Sequence, residues 1–520
     1  MVDSGTLPIP DLPLEVELKF ALPAKDLPRL LRHELLAGAR PRRQLIASTY
    51  FDTPDLALRD RALSLRIRKN GRHYVQTLKA NTPAVPVPVE RQEWQSPLTR
   101  AKPDLSLPEL QERLGDIDPR QLQPVFVSRI RRSTRVLHPD PATTVELSCD
   151  RGEIETPAGA RLPVCELELE LKRGESDALF ELARALNRKL PLQLETLSKA
   201  ARGYALLSGD DAEAARRQMR LLVAPETPTQ EAFAAIAENG LRHMLANDRA
   251  ARQGDVEGVH QMRVALRRLR ATLKLFKAII PEERRSYATG ETKWIAATLG
   301  PARNWDVFAG YLAPVAAAFP GNAGLGALAQ ATAQQQEIAH AAVRDTVGSG
   351  RYTDFVLQML DWLSRPQRHE AAAEASLLTT TPIRQLAAAL LERRYRKARK
   401  LARKFGELGA ERRHKFRIAL KELRYAVDAL AGLYDRKAVR QQSRRLAALQ
   451  DDLGLLNDIA GMHRLLSELV PAEDAAGIGE AAATLRGWYG RVAAECETKL
   501  ARRVSRFLKA KRFWRQAEAA

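Results

Sequence analysis

EVELKF at Glu15–Phe20 and CELELELK at Cys165–Lys172 decide the fold of the first two hundred residues. Both alternate charged and apolar residues with period two, as a strand does when successive side chains point to opposite faces. Glu15, Glu17 and Lys19 share one face, and Leu14, Val16, Leu18 and Phe20 the other. Glu166, Glu168 and Glu170 likewise oppose Leu167, Leu169 and Leu171. Between these segments Arg66 and Arg68 oppose Leu65 and Ile67, Thr77 and Lys79 flank Leu78, and Glu146 and Asp150 oppose Val145 and Leu147. IASTYFDT, VERQEWQ and VFVSRIRR add further strand-like stretches, punctuated by Gly, Pro and Asp. Short helices are expected at 26–36, 177–190 and 199–207. About eight strands with few helices predict an α+β domain built on an antiparallel sheet or closed barrel.

A sheet with one greasy and one wet face is common, and explains any single strand. It does not explain the set. Carboxylates gather on some strands and arginines or lysines on others, with Lys19 the exception. A row of glutamates also repels itself unless a cation lies among them. A barrel with a charged interior resolves both points. Its carboxylates would offer hard oxygen ligands to Mg²⁺ or Mn²⁺, and its Arg and Lys would grip phosphate oxygens. A metal-binding wall facing a phosphate-binding wall is the layout of a phosphoryl-transfer site.

The ordered series EVELKF, YFDTPD from Tyr50, LSLRIRK, QTLK, RQE at Arg91–Glu93, PVFVSRIRR, DRGEI, CELELEL and LSKAARGY resembles the CYTH superfamily over roughly residues 12–207. This is the adenylyl cyclase/thiamine triphosphatase group, also called triphosphate tunnel metalloenzymes. The resemblance implies an eight-stranded antiparallel tunnel that hydrolyses or rearranges triphosphates. It implies Glu15, Glu17, Asp150, Glu166 and Glu168 around one or two divalent ions, Mg²⁺ or Mn²⁺. It implies Lys19, Arg66, Arg68, Lys79, Arg132, Lys199 and Arg202 on the triphosphate, with Lys19, Glu15 and Glu17 as the catalytic candidates. Glu93 matches a tunnel carboxylate that pairs with basic residues. Glu170 is in phase with the metal carboxylates, whereas Arg129 falls on the face opposite Arg132. Trp94 and Tyr50 are the aromatic residues available to an organic head group.

Residues 208–224 read as a linker, and from 225 to 515 the apolar period changes to three and four, that of packed helices. VHQMRVALRRLRATLKLF from Val259 and HKFRIALKELRYAVDAL from His414 repeat one pattern. His260, Arg263, Arg267 and Arg270 match His414, Arg417, Lys421 and Arg424, and the same offset carries Leu299-Gly300 to Leu453-Gly454. Asp428 breaks the match by standing in the register of Lys274. The expectation is an all-α domain of two duplicated helical bundles, about 225–375 and 376–515. Wet helix faces usually mix charge signs; these rows are nearly all cationic over three turns, and such a row repels itself unless an anion fills it.

The motifs, together with LGPARNWDVF from Leu299 and LQDDLGLLNDI from Leu449, resemble the CHAD domain. That resemblance implies inorganic polyphosphate binding by His260, Arg263, Arg267, Arg270, Lys274, His414, Arg417, Lys421 and Arg424, with Arg303 and Tyr425 as secondary candidates. The two-domain combination is similar to that of bacterial inorganic triphosphatases, so the expected activity is hydrolysis of inorganic triphosphate to diphosphate and phosphate.

The chain has 83 Lys and Arg against 63 Asp and Glu, a net charge of +20, which suits a polyanionic partner. Nucleic acid fits the charge, but helix-turn-helix, zinc and stacking-aromatic signatures are missing from the sequence. A polyphosphate-docking protein with a silent tunnel, a thiamine or nucleoside triphosphatase, and an adenylyl cyclase of the same fold are the competing readings. Three cysteines, none in a metal-like pair, argue against a disulfide framework. The sequence offers no secretory signal or membrane span, so the expected place is the cytoplasm, with polyphosphate granules as one site of association.

Overall fold

The computed structural model describes residues 16–70, 73–80, 93–106, 108–209, 214–365, 373–403, 405, 410–469 and 477–515. Glu15 and Arg91 lie outside the described residues, as does the side chain of Glu93. The chain forms two compact units. One gathers the residues up to Ala214 together with Gly348–Asp361, and the other holds Ala215–Val347 and Trp362–Ala520.

The first unit is one antiparallel sheet. Its strands are β1 (Val16–Ala21), β2 (Arg42–Asp52), β3 (Leu63–Asn70), β4 (His73–Ala80), β5 (Glu93–Leu98), β6 (Gln123–Leu137), β7 (Thr144–Glu155), β8 (Arg161–Arg173) and β9 (Gln193–Leu194). They lie in the order β5-β4-β3-β2-β6-β7-β8-β1-β9. The sheet therefore has nine strands, where the sequence predicted eight. The ninth is two residues long and pairs with Phe20 and Ala21 of β1; a period-two signal needs several alternations to be legible, and two residues supply none.

The apolar residues of the alternation are buried. Leu18, Phe20, Leu65, Leu78, Leu147, Leu167 and Leu169 have no exposed surface. Because the charged face is turned inward, the greasy face needs cover of its own. Short helices supply it: α1 (Leu27–Leu31), α2 (Ala57–Asp60), α3 (Pro108–Leu114), α4 (Asp177–Asn187) and α5 (Lys199–Ser208). Leu58 of α2 and Leu110 of α3 join Leu65, Ile67 and Leu78 in one apolar cluster, and Ala200 and Tyr204 of α5 join Phe126 and Ile130 in another. Tyr50 stacks on Phe126, with ring centroids 4.5 Å apart, and Tyr204 meets Phe126 edge to face at 5.2 Å.

The rest of the chain is helical: α6 (Thr229–Leu245), α7 (Asp248–Arg252), α8 (Val256–Leu275), α9 (Glu282–Ala318), α10 (Ala323–Val347), α11 (Gly350–Ser364), α12 (Ala373–Thr380), α13 (Ile383–Ala402), α14 (Ala410–Ala429), α15 (Arg436–Leu469) and α16 (Ile478–Lys509). Most of α11 belongs to the sheet unit, which the change of period at residue 225 did not foretell. Arg184 Nε donates to Asp354 at 2.7 Å and Asn187 Nδ2 to the Gly350 carbonyl at 2.7 Å, fixing that stretch beside α4. The helices α8 and α14 bury the predicted apolar faces: Val259, Met262, Leu266 and Leu269 on one, Phe416, Leu420, Leu423 and Leu430 on and just after the other. Asp255 caps α8 by accepting from the amides of Glu257 and Gly258. No helix among the described residues is long and apolar enough to cross a membrane.

Candidate functional site

The inner face of the sheet encloses a cavity of about 700 Å³. Strand register decides what meets what. Glu17 and Glu146 both stand opposite Glu170, Lys19 opposite Glu168, and Asp150 opposite both Glu166 and Arg132. Across the cavity, Tyr50 stands opposite Arg66, Ser48 opposite Arg68, and Ser64 opposite Lys79. Carboxylates thus dominate the β1, β7 and β8 wall, and cations the β3 and β4 wall. Arg132 and Lys199 bridge inward to the acidic side.

The acidic wall is held together by cations. The guanidinium of Arg132 grips Asp150 with two bonds, 2.7 and 2.6 Å, and reaches Glu168 at 2.5 Å. The ammonium of Lys199 lies 2.8 Å from Asp150 and 3.0 Å from Glu168, and also pairs with Glu166. Arg202 pairs with Glu166 and lies 3.7 Å from Glu195. Lys19 lies 2.8 Å from Glu17 and 3.6 Å from Glu168. Burial alone would raise the Glu168 carboxyl, but Lys199, Lys19 and Arg132 overcome it and hold the group well below its usual value. Burial would equally depress Lys199 and Arg132, and the surrounding carboxylates raise both instead.

One helix delivers two of these cations. The Ser198 hydroxyl caps α5 by accepting from the Ala201 amide, and Lys199 and Arg202, three apart on one face, both pair with Glu166. Gly203 makes the placement possible: a Cβ there would lie 2.3 Å from the Phe126 ring.

Asp150, Glu166 and Glu168 each offer a carboxylate oxygen, all within 4.8 Å of one another. Hard anionic oxygens at that spacing fit a divalent ion of the Mg²⁺ class. In this arrangement the Lys199 ammonium supplies the positive charge among the three.

The cavity lining includes Glu17, Lys19, Arg66, Arg68, Lys79, Arg132, Asp150, Glu168 and Lys199 of the predicted residues. Glu166 and Arg202 stand one layer behind it. Arg129 points away and pairs with Glu155. Tyr50 lines the cavity, whereas Trp94 packs with the apolar cluster under the Arg113 guanidinium, 4.0 Å from its ring centroid. Ser48, Ser64 and Ser128 also line the cavity; small neutral side chains carry no charge signal by which sequence reading could find them.

In the helical unit, α8, α9, α14 and α15 enclose a polar groove of about 440 Å³. Its lining includes His260, Arg263, Arg267, Arg303, Arg417, Lys421, Arg424 and Tyr425, with Asp451 and Asp458 as the carboxylates among the described lining residues. The structure does not bring the whole predicted row there. Lys274 turns to Glu422, 2.5 Å away, an acid that also takes Lys397 at 3.1 Å. Arg270 is not among the lining residues, and His414 is exposed and 3.4 Å from Asn457. The Nε atoms of Arg263, Arg267 and Arg417 are buried without a hydrogen-bond partner among the described residues. Burial and the mutual repulsion of these cations lower Arg263 to about 10 and Lys421 to about 7. Burial, with Arg303, Arg267 and Arg263 nearby, also lowers His260.

Two family descriptions match the chain: the CYTH domain over residues 13–204 and the CHAD domain over residues 235–467. A protein of Haemophilus influenzae named inorganic triphosphatase is 29% identical over 208 residues, 37% of this chain and 54% of the relative. An uncharacterized protein of Mycobacterium tuberculosis is 26% identical over 281 residues, 51% of this chain and 52% of the relative. The chain thus spans about half the length of the curated relatives it matches. The crystal structure of a CHAD domain from Ricinus communis is 29% identical, covers 58% of this chain and 98% of that one, and superposes with a TM-score of 0.49.

Proposed function

We propose that this chain, a CYTH domain followed by a CHAD domain, hydrolyses inorganic triphosphate to diphosphate and phosphate in the sheet cavity and holds inorganic polyphosphate in the helical groove. The observation that carries the first half is one cavity with a carboxylate wall facing Arg66, Arg68 and Lys79. Asp150, Glu166 and Glu168, with Glu17 of β1 and, by the sequence resemblance alone, Glu15, would hold Mg²⁺ or Mn²⁺. What the ion supplies when bound is neutralisation of charge on phosphate oxygens beside the acidic wall.

The protein's own groups do the rest. Arg66, Arg68 and Arg132 offer planar forks of N–H donors to phosphate oxygens, and Lys79 and Lys199 add point charges. Held between the walls, the triphosphate presents its terminal phosphorus to a water on the carboxylate side. The water oxygen bonds to phosphorus in line, the phosphorus–oxygen bond to the diphosphate breaks, and the water's proton passes to a carboxylate. Lys19, ion-paired with Glu17 and near Glu168, acts in this geometry as a charge that positions, rather than as the base. The lining is mostly polar and charged, with Tyr50, Ile46, Ile130, Leu171 and Ala200 its apolar or aromatic contributors, which favours bare triphosphate over one with an organic head group.

The groove reading rests on the crowding of Arg263, Arg267, Arg417 and Lys421, whose three arginine Nε atoms are buried without a partner among the described residues. Phosphate release from tripolyphosphate, ATP, thiamine triphosphate and long polyphosphate, with Mg²⁺ or Mn²⁺, tests the assignment. Fast metal-dependent release from tripolyphosphate alone is the expected result. No release from any of them, with tight binding of long polyphosphate, would leave only the docking role.

A further inference from the structure

The helical unit holds a second cavity of about 370 Å³, and its wall is built differently from the groove. Its floor is apolar, formed by Ile236 of α6 and Val439 of α15, 8% and 7% exposed. Its cationic side chains are Arg220, Arg268, Arg436 and Arg440. Asp428 is the one carboxylate among the described residues that line it, 3.8 Å from Arg268 and 3.9 Å from Arg424. Burial pushes that carboxyl up despite Arg268, Arg424 and Arg220, so it is a reluctant counter-charge for so many guanidiniums.

Apolar residues such as Phe308 and Met462 line part of the groove too, but in this cavity they form a larger share of the wall. A bare phosphate chain needs donors all round and gains nothing from an apolar floor. A cavity with arginines at its edge and aliphatic carbons below suits a ligand that carries both an anionic head and an apolar or flat body. Its volume lies at the lower end of the range for small-molecule pockets, roughly 300–1,000 Å³. The two cavities share a wall: Arg268 and Tyr425 line both, with the guanidinium 5.4 Å from the ring centroid.

We propose that this cavity is a separate binding site for a small organic phosphate, a phosphate ester of about nucleoside-monophosphate size, with its phosphate on Arg220, Arg268 and Arg440 and its body on Ile236 and Val439. Arg220 and Arg440 are exposed, so their charge can be reversed without disturbing the core.

The test is calorimetric titration of the full chain with adenosine 5′-monophosphate, orthophosphate and adenosine. The monophosphate is expected to bind at least tenfold tighter than either fragment. Arg220→Glu/Arg440→Glu is expected to weaken it at least tenfold while the far-ultraviolet spectrum stays unchanged, and Val439→Trp to weaken it by filling the floor. Arg263→Ala in the groove and Arg66→Ala in the sheet cavity are expected to leave it within twofold. The proposal is overturned if the monophosphate binds no better than orthophosphate, or if the rim reversal has no effect. Loss of binding in Arg263→Ala or Arg66→Ala would place the ligand elsewhere and overturn it equally.

Discussion

The sheet cavity and the helical groove are both crowded with buried arginine and lysine, yet the charges around them act in opposite directions. In the cavity, Arg132 and Lys199 are raised because Asp150, Glu166 and Glu168 stand beside them. In the groove, Arg263, Arg417 and Lys421 are lowered because burial and neighbouring cations dominate, with Asp458 a partial offset for Arg417 and Lys421. The cavity is balanced within itself and is ready to exchange one cation for another among its carboxylates. The groove is unbalanced, and an anion from outside is what would settle it. The same residue types therefore support a reaction centre in one place and a docking surface in the other.

The largest effect is expected where the balance is catalytic. Glu168→Ala should lower metal-dependent phosphate release by about 10³-fold or more, the scale of losing a key electrostatic group, with the sheet unit still folded by circular dichroism. Turnover within tenfold of the parent would remove Glu168 from the metal site. Chelation of divalent ions should match that loss in the parent protein.

Stability sharpens the contrast. Arg132→Leu removes one of the two cations on Asp150, whose side chain is 0% exposed, and should destabilise the sheet unit by about 3 kcal/mol, the lower end for breaking a buried pair because Lys199 remains. Arg263→Leu removes a repelled charge instead, and should leave the thermal midpoint of the anion-free protein unchanged or higher. Equal losses in the two variants would mean that the groove cations are as well compensated as those of the cavity.

Smaller effects separate binding from chemistry. Arg66→Ala should cost about 10²-fold in kcat/KM, roughly 2.7 kcal/mol, while polyphosphate affinity in the groove stays constant. A matching loss of polyphosphate binding would place the long chain in the sheet cavity instead.

The smallest expected effect concerns proton uptake. Lys421 titrates near 7 in the folded protein, down from 10.5. Between those values the unfolded chain binds more protons, so this group's contribution to stability rises with pH across that window. A bound polyanion favours the ammonium, so polyphosphate affinity should fall about tenfold, one pK unit's worth of interaction, as pH rises from about 6 to 8.5. Lys421→Arg should flatten that fall, as titration calorimetry in buffers of different ionisation enthalpy would reveal. A slope unchanged in the variant would assign the pH dependence to another group.

Much of the sheet cavity was legible in the chain. Period two fixes which residues share a face, and Glu17, Lys19, Arg66, Arg68, Lys79, Asp150 and Glu168 line the cavity together. A short helix over 199–207 was likewise expected, and the structure adds the Ser198 cap at its start. The two-residue strand β9 and the placement of α11 were not, because both depend on contacts made far along the chain.

The helical half shows the boundary between the two kinds of information. Sequence alone determined that α8 and α14 each carry an apolar stripe and a cationic row, since the helical turn places residues three and four apart on one face. Only the tertiary structure decided which members of those rows meet. Arg263, Arg267, Arg417 and Lys421 enter the groove, while Lys274 is drawn to Glu422 and His414 stays exposed. Two crossing helices approach closely over a few turns and then diverge, so a uniform row in sequence becomes a localised site in space.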